Sequence, residues 1–244
     1  YEDAPAASDW SSYPVLLFSH GIGIGTVYQN MAQFEELVSR GYVIISIGHT
    51  YESCMIPFPD GRLVPADATR WKHFLEQATS ETLSPLRAMK TAGSLAVYDS
   101  LAREYIKRTP LLDESHRIWA EDTRFVIDEL TRLISRADSS SILARIDPAR
   151  IGVFGHSMGG MTSIKCLLDD DRIACGVAYD APPIIETLTD SICRPVLFMG
   201  CSDFGQGCES AFLRCKGPAW YGVIDGTRHF AFCDFSLFFA GKPF

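Results

Sequence analysis

The stretch that most limits what this chain can fold into is Ile151-Gly-Val-Phe-Gly-His-Ser-Met-Gly-Gly160. An apolar run from Ile151 to Phe154 ends in Gly155-His-Ser-Met-Gly159, and a helix-like segment, Thr162 to Leu168, follows. This is a G-x-S-x-G turn set between a strand and a helix. Such a turn lifts the Ser157 hydroxyl clear of the strand, which strains the backbone and brings strand and helix close together. Glycines at 155 and 159 remove the Cβ atoms that would collide there. An incidental serine in a glycine-rich turn is the rival reading. It leaves the strand on one side and the helix on the other without a reason.

The rest of the chain repeats that alternation. Val15 to Phe18, Tyr42 to Ile47, Ile173 to Tyr179, Pro195 to Met199 and Trp220 to Ile224 are short, apolar runs of the kind found in buried strands. A helix is expected from Thr26 to Ser39, with Met31, Phe34, Leu37 and Val38 on its apolar face and Gly41 capping its end. Strand, helix and strand with short connections imply right-handed crossovers and a parallel sheet. The stretch 48–147 is a long excursion. It opens with a loop or hairpin over Tyr51–Pro65, followed by helices near Asp67–Gln77 and Pro85–Arg108, the latter with Ser84 as N-cap. A helix over Ser115–Arg136 should bury Ile118, Phe125, Leu130, Leu133 and Ile134. A phenylalanine-rich terminal helix is expected over Phe232–Ala240. Residues spread over 1–244 belong to one scheme, so a single α/β domain is expected.

Composition narrows the partners. The net charge of -8 disfavours nucleic acid and a purely electrostatic hold on anionic membranes. No apolar run approaches the roughly 18 residues that span a bilayer. The first residues, Tyr1 to Ala7, carry no signal-peptide pattern, as expected of either a mature secreted or periplasmic product or a cytoplasmic one. Of eight cysteines, Cys201, Cys208, Cys215 and Cys233 fall in the last quarter, where one or two disulfides are expected, while Cys166 and Cys175 read as small buried hydrophobes. Their spacings are not those of zinc ligands, and no metal or cofactor is expected. The run Gly21-Ile-Gly-Ile-Gly25 is no dinucleotide fingerprint, because its third glycine arrives one residue early and no acid ends the next strand.

A serine hydroxyl needs a base to take its proton and an acid to orient that base. In this arrangement the chain order is serine, acid, histidine. His229, in the loop after the last strand, is the one histidine beyond Ser157, so it is the candidate base. Asp180 and Asp203 both follow strands, and position alone does not choose between them as the acid. Two backbone N–H groups should receive the developing oxyanion, one from Met158 and one from Ile22 in the glycine-rich loop. His20 and His156 flank these elements and should support them by hydrogen bonding. His49 is expected at the pocket rim, and His73 and His116 at the surface or in packing.

With these motifs placed, the chain resembles the platelet-activating factor acetylhydrolase family, the plasma and type II enzymes and their microbial relatives. The resemblance rests on Phe18-Ser-His-Gly21, Gly155-His-Ser-Met-Gly-Gly160, Cys175-Gly-Val-Ala-Tyr-Asp180 and Gly226-Thr-Arg-His-Phe-Ala-Phe-Cys-Asp-Phe235, and it covers nearly everything from Pro14 onward. It implies an α/β-hydrolase fold, a mostly parallel central sheet flanked by helices. It also implies Asp180 as the acid, with Ile22 and Met158 as oxyanion donors. Family members carry strands before the first one seen here, so either a smaller sheet or missing upstream sequence is expected. The implied activity is a serine esterase acting through an acyl-enzyme on short or oxidised acyl esters, including those of glycerophospholipids. Phe230, Phe232, Phe235, Phe238 and Phe239 would offer a lipid-facing surface if they were not core. A cutinase-like polyester hydrolase using Asp203 is the first alternative, and a non-catalytic ligand-binding protein on the same fold the second. Acyl length, head group and oligomeric state are not encoded in these motifs.

Overall fold

The computed structural model describes residues 7, 10–139, 141–202 and 207–238. Its centre is a sheet of six strands: β1 (Tyr13–Ser19), β2 (Val43–Ile47), β5 (Ile146–His156), β6 (Ile173–Tyr179), β7 (Val196–Cys201) and β8 (Ala219–Ile224). The intervening β3 (Met55–Pro57) and β4 (Leu63–Pro65) form a separate antiparallel hairpin, one of the two forms expected there. The order is β2-β1-β5-β6-β7-β8, and every neighbouring pair is parallel. The chain moves outward from β1 to β2, then returns to add strands on the other side of β1. The β1/β5 border is therefore the topological switch point, whose carboxyl end is where ligands bind in such sheets.

Both faces of the sheet are covered, which is why its strands read as continuous apolar runs. On one face Phe18 and Phe154 pack against Phe34 of α1 (Met31–Ser39), with ring centroids 4.9 Å apart for both Phe18–Phe34 and Phe18–Phe154. On the other, Val15, Leu17, Ile151 and Val153 join a larger core with Trp119, Ile127, Met161 and Ile164. These last four come from α5 (Pro110–Ile134) and α6 (Met158–Asp169). Cys166 is buried in that core, but Cys175 is exposed, contrary to expectation. It shares the parity of Val177 and so points to the α1 side, beyond the phenylalanine cluster.

Several boundaries differ from the sequence reading. The first helix starts at Met31 rather than Thr26, because Gln29 and Asn30 turn their side chains inward to hydrogen-bond and leave residues 27–30 as turns. Met31 and Val38 are exposed, while Phe34 is buried. Gly41 does end this helix, at φ 88°, a left-handed angle. Helix α2 (Ala68–Gln77) has Asp67 as N-cap, its carboxylate accepting from Arg70 N at 2.8 Å. The single helix expected over 85–108 is two, α3 (Ser84–Ala88) and α4 (Leu95–Arg108). Gly93 interrupts them, and Ser94 caps the second by accepting from Val97 N at 3.3 Å. Leu83, not Ser84, holds the N-cap position of α3.

Helix α5 starts at Pro110, and its buried face is Leu112, His116, Trp119, Ala120, Thr123, Ile127 and Leu130. Ile118, Phe125 and Leu133, expected inside, are exposed, Phe125 by 65%. Two polar groups in that face bond locally, His116 Nδ1 donating to Leu112 O and Thr123 Oγ1 to Trp119 O, while among the described residues His116 Nε2 has no hydrogen-bond partner and faces Glu186 Oε2 at 3.7 Å. After α7 (Glu209–Arg214) and β8, the chain forms a 3-10 turn at His229–Phe232 and the short helix α8 (Phe235–Phe238). The expected terminal helix thus starts late, and Phe239 and Ala240 lie outside the described residues. Among the described residues, no helix is long and apolar enough to cross a membrane.

Candidate active site

The strand registers set the site. Ser19 pairs with Gly155, His156 with Tyr179, and Tyr179 with Met199, so the chain leaves the sheet at His20, Ser157 and Asp180 side by side, next to Cys201 at the end of β7. Ser157 sits between β5 and α6 at φ 58° and ψ −116°, a strained position held by its N–H bond to Tyr179 O at 2.8 Å. A Cβ on Gly159 would lie 1.9 Å from Ser19 O, and one on Gly155 would lie 2.4 Å from Gly159 C. No larger residue fits either position.

Asp180, at φ 45° in the turn after β6, directs its carboxylate to the loop after β8. Its Oδ2 is 2.5 Å from His229 Nδ1, and its Oδ1 accepts from Cys201 N at 2.9 Å. The Cys201 thiol also donates to Oδ2, at 3.2 Å. Burial opposes the charge, but the hydrogen bond to His229, the attraction of its ring and the two Cys201 donors together hold the carboxyl below its usual value. Asp203, the competing acid, lies outside the described residues.

Ser157, Asp180 and His229 open into one cavity of about 320 Å³, which Ile22 and Met158 also line. Met158 is the first residue of α6, so its N–H lies at the positive end of a helix dipole. Among the described residues, the N–H groups of Ile22 and Met158 have no hydrogen-bond acceptor. The Ile22 loop is folded tightly on itself, since a Cβ on Gly25 would meet Gly21 O at 2.1 Å. Those glycines serve a compact loop beside the serine.

Sequence reasoning missed Gln29. Its Oε1 accepts from Gly21 N at 2.9 Å, and its Nε2 donates to His156 Nδ1 at 3.2 Å. His156 Nε2 donates in turn to His229 O at 2.9 Å. A carbonyl only accepts, so Nε2 carries the proton and the whole chain of bonds is fixed with His156 neutral. It ties the oxyanion loop, the serine turn and the histidine loop together. Burial and the neighbouring His229 push the His156 pKa down to about 3. His20 supports the same loop, its Nδ1 donating to Gly21 O at 2.8 Å, and burial followed by the charge of His49 brings it down to about 3.

His49 is not at the pocket rim. It is buried, stacked on Trp119 at 3.9 Å, with Nδ1 bonded to Asp122 at 2.9 Å and Nε2 to the Ser19 hydroxyl at 3.1 Å. Burial lowers its pKa against the pull of Asp122. This second Ser–His–Asp set, buried at the serine and the histidine, links β1 to α5. His73 is exposed, and His116 is buried beside Glu186.

The four late cysteines are thiols, not disulfides. Each is committed to a nearby acceptor: Cys201 to Asp180, Cys208 to Ala181 O, Cys215 to Ala211 O and Cys233 to Phe230 O. Burial pushes the thiols of Cys215 and Cys233 up to about 11. Of the late phenylalanines, the side chains of Phe230, Phe232 and Phe235 are described, and each is half-buried. Phe230 lines the cavity, Phe232 stacks on Tyr179 at 5.7 Å and Phe235 is half-buried against Phe230; the Phe238 side chain and all of Phe239 lie outside the described residues.

The family model for platelet-activating factor acetylhydrolase, isoform II, matches residues 1–79 and 127–242. The chain is 24% identical over 258 residues to a platelet-activating factor acetylhydrolase of Cavia porcellus, covering 99% of this chain and 54% of that protein. To the protein of the same name in Gallus gallus it is 27% identical over 244 residues, covering 92% and 53%. A probable 1-alkyl-2-acetylglycerophosphocholine esterase of Arthroderma benhamiae is 24% identical over 169 residues, covering 68% and 31%. The chain thus spans about half the length, or less, of the curated relatives it matches. In fold it is similar to a ferulic acid esterase from Streptomyces cinnamoneus, with a TM-score of 0.63 and 23% identity over 96% of this chain and 57% of that one. That likeness supports the α/β-hydrolase architecture.

Proposed function

The chain belongs to the platelet-activating factor acetylhydrolase, isoform II, family, and we propose that it is a serine esterase of that kind, hydrolysing short or oxidised acyl esters, including those of glycerophospholipids, through an acyl-enzyme. The observation that carries this reading is the 2.5 Å contact between Asp180 and His229, in one cavity with a serine held at a strained turn. Ser157 Oγ attacks the ester carbonyl while His229 Nε2 accepts its proton, and Asp180 orients the ring and stabilises the imidazolium. The N–H groups of Met158 and Ile22 receive the oxyanion. Collapse of the intermediate expels the alcohol, protonated by His229. A water activated by the same base then releases the acid and restores Ser157. One α/β domain carries every group, and none of these steps calls on a cofactor.

The acid assignment favours Asp180 because its carboxylate already sits on Nδ1 of His229, which is the reason for setting the cutinase-like alternative second. Secretion or export to a periplasm forms part of the proposal, and fractionation of the native source tests it. The activity is tested with p-nitrophenyl acetate and a 1-alkyl-2-acetyl glycerophosphocholine. A burst of alcohol release followed by steady turnover is expected. Binding of the phospholipid without release of acetate would instead support a ligand-binding protein.

A further inference from the structure

Among the described residues, three that are not glycine sit at positive φ: Ser157, Asp180 and Tyr51. The first two belong to the proposed triad. Tyr51, at φ 72°, is exposed and lies in the turn between β2 and β3. A bulky residue keeps such an angle only where its surroundings dictate it. Here Asp67 N–H donates to Tyr51 O at 2.7 Å, and the N–H groups of Glu52 and Ser53 both donate to His49 O, at 3.3 and 3.1 Å. The residue that this turn presents is Glu52, which is 7% exposed. Its carboxylate is engaged on both oxygens. Oε1 accepts from Arg70 Nε at 2.6 Å and from the Ser115 hydroxyl at 2.7 Å, and Oε2 accepts from Trp119 Nε1 at 2.6 Å. Arg70 comes from α2, Ser115 and Trp119 from α5. Neither Glu52 nor any of these partners lines the cavity that holds Ser157.

What Glu52 reaches is the oxyanion loop. Its main-chain carbonyl accepts from Gly23 N–H at 2.8 Å. The next two residues hold the same loop further on, Ser53 Oγ and Cys54 N–H donating to Gly25 O at 2.8 and 3.0 Å. Trp71, beside Arg70 on α2, lies over Gly23, where a Cβ would meet its ring at 1.8 Å. On the other side of Ile22, His20 holds Gly21 O and Gln29 holds Gly21 N–H. Peptide units are rigid planes. Ile22 N–H shares its plane with Gly21 O, and Ile22 O shares the next plane with Gly23 N–H. Fixing both planes fixes where the Ile22 N–H points. Resting on the esterase reading, we infer that Glu52 is a positioning residue of the oxyanion hole. Its carboxylate locks the turn to α2 and α5, and its carbonyl passes that lock to Ile22 through Gly23. The left-handed angle at Tyr51 lets one residue turn its carboxylate inward and its carbonyl onto the loop.

The experiment compares the wild type with Glu52→Gln, Tyr51→Val and Tyr51→Gly. It uses p-nitrophenyl acetate and an alkyl trifluoromethyl ketone, whose hemiketal with Ser157 would place an oxyanion in the hole. Glu52→Gln keeps the side-chain shape but sets an amide N–H against either Trp119 Nε1–H or the Arg70 and Ser115 donors. It should lower kcat on the order of 10- to 100-fold with KM nearly unchanged. The ketone's inhibition constant should rise by about the factor by which kcat/KM falls. Loss of folded protein alone lowers the amount of active enzyme and leaves that constant where it was. Tyr51→Val keeps the carboxylate and changes only an exposed side chain, yet it should reproduce both effects, because a β-branched residue resists the left-handed angle. Tyr51→Gly takes that angle freely and should be at least about tenfold faster than Tyr51→Val. These two surface variants test the inference even where Glu52→Gln does not fold. If the wild type turns over the acetate ester but the ketone's constant stays at its wild-type value in Glu52→Gln and Tyr51→Val, or Tyr51→Val and Tyr51→Gly are equally fast, the role of Glu52 is overturned and the esterase reading stands. If the wild type turns over no ester, both fall.

Discussion

Lowering the pH from 7 to 5 should destabilise this protein steeply, because of imidazoles that the fold keeps neutral. His20 and His156 are 0% and 2% exposed and are held near a pKa of about 3. In the unfolded chain each returns to about 6.5. Below 6.5 the unfolded chain takes up protons that the folded one refuses, so stability falls with pH at up to about 1.4 kcal/mol per unit for each group. From pH 7 to 5 this integrates to about 2 kcal/mol per histidine, or about 4 kcal/mol for the pair. His49, also lowered, acts in the same direction. The depressed carboxyls of Asp180 and Glu186 act too, but only as pH falls through the ordinary carboxylate range and toward their folded values, about 2 for Glu186. They leave the window from 7 to 5 to the imidazoles. A loss near 4 kcal/mol is a large share of the roughly 5–15 kcal/mol margin of a folded domain. Urea unfolding at pH 7, 6 and 5, followed by tryptophan fluorescence and far-UV circular dichroism, measures it. His156→Gln should remove about half of the pH slope. A midpoint that does not move between pH 7 and 5 would show that these rings protonate inside the fold, and the hydrogen-bond directions given for Gln29, His156 and His229 would be wrong.

Other outcomes follow from the same contacts. Asp180→Asn should lower kcat by roughly 10⁴, by turning His229 into the wrong tautomer, with little change in melting temperature; Asp203→Asn should cost little, and the reverse pattern would favour the cutinase-like arrangement. Gln29→Leu unpairs Gly21 N–H and His156 Nδ1, and should cut kcat about 10- to 100-fold through a misplaced oxyanion donor, with KM for short esters nearly unchanged. On α5, Ile127→Ala should cost about 2–5 kcal/mol, while Phe125→Ser should stay within about 0.5 kcal/mol; equal losses in chemical denaturation would place Phe125 inside.

The strands of the sheet are legible in the sequence because helices on both faces make them uninterrupted apolar runs. The turn at Ser157 is legible because glycine alone fits at 155 and 159. The α5 face is not legible from apolar periodicity. Ser115, His116 and Thr123 are buried once hydrogen-bonded, and they rotate the helix so that Ile118 and Phe125 meet water. His229 follows from chain order, whereas Asp180 and Asp203 are equivalent as strand-end acids until the turn at Asp180 directs one carboxylate onto Nδ1. Gln29 has no local signature. Its partner His156 is 127 residues away and becomes a neighbour only when β1 and β5 pair. The cavity wall is likewise hidden, since Leu86, Tyr105 and Leu112 read as ordinary helix core and line the cavity with Ser157 only through the packing of α3, α4 and α5.

The central claim is that Ser157 is the residue acylated. Reaction with a fluorophosphonate, followed by digestion and mass spectrometry, addresses it most directly. The account predicts one adduct per chain, on the peptide carrying Ser157, and its loss in Ser157→Ala together with ester hydrolysis. Labelling undiminished in Ser157→Ala, or an adduct on any other residue, would contradict it.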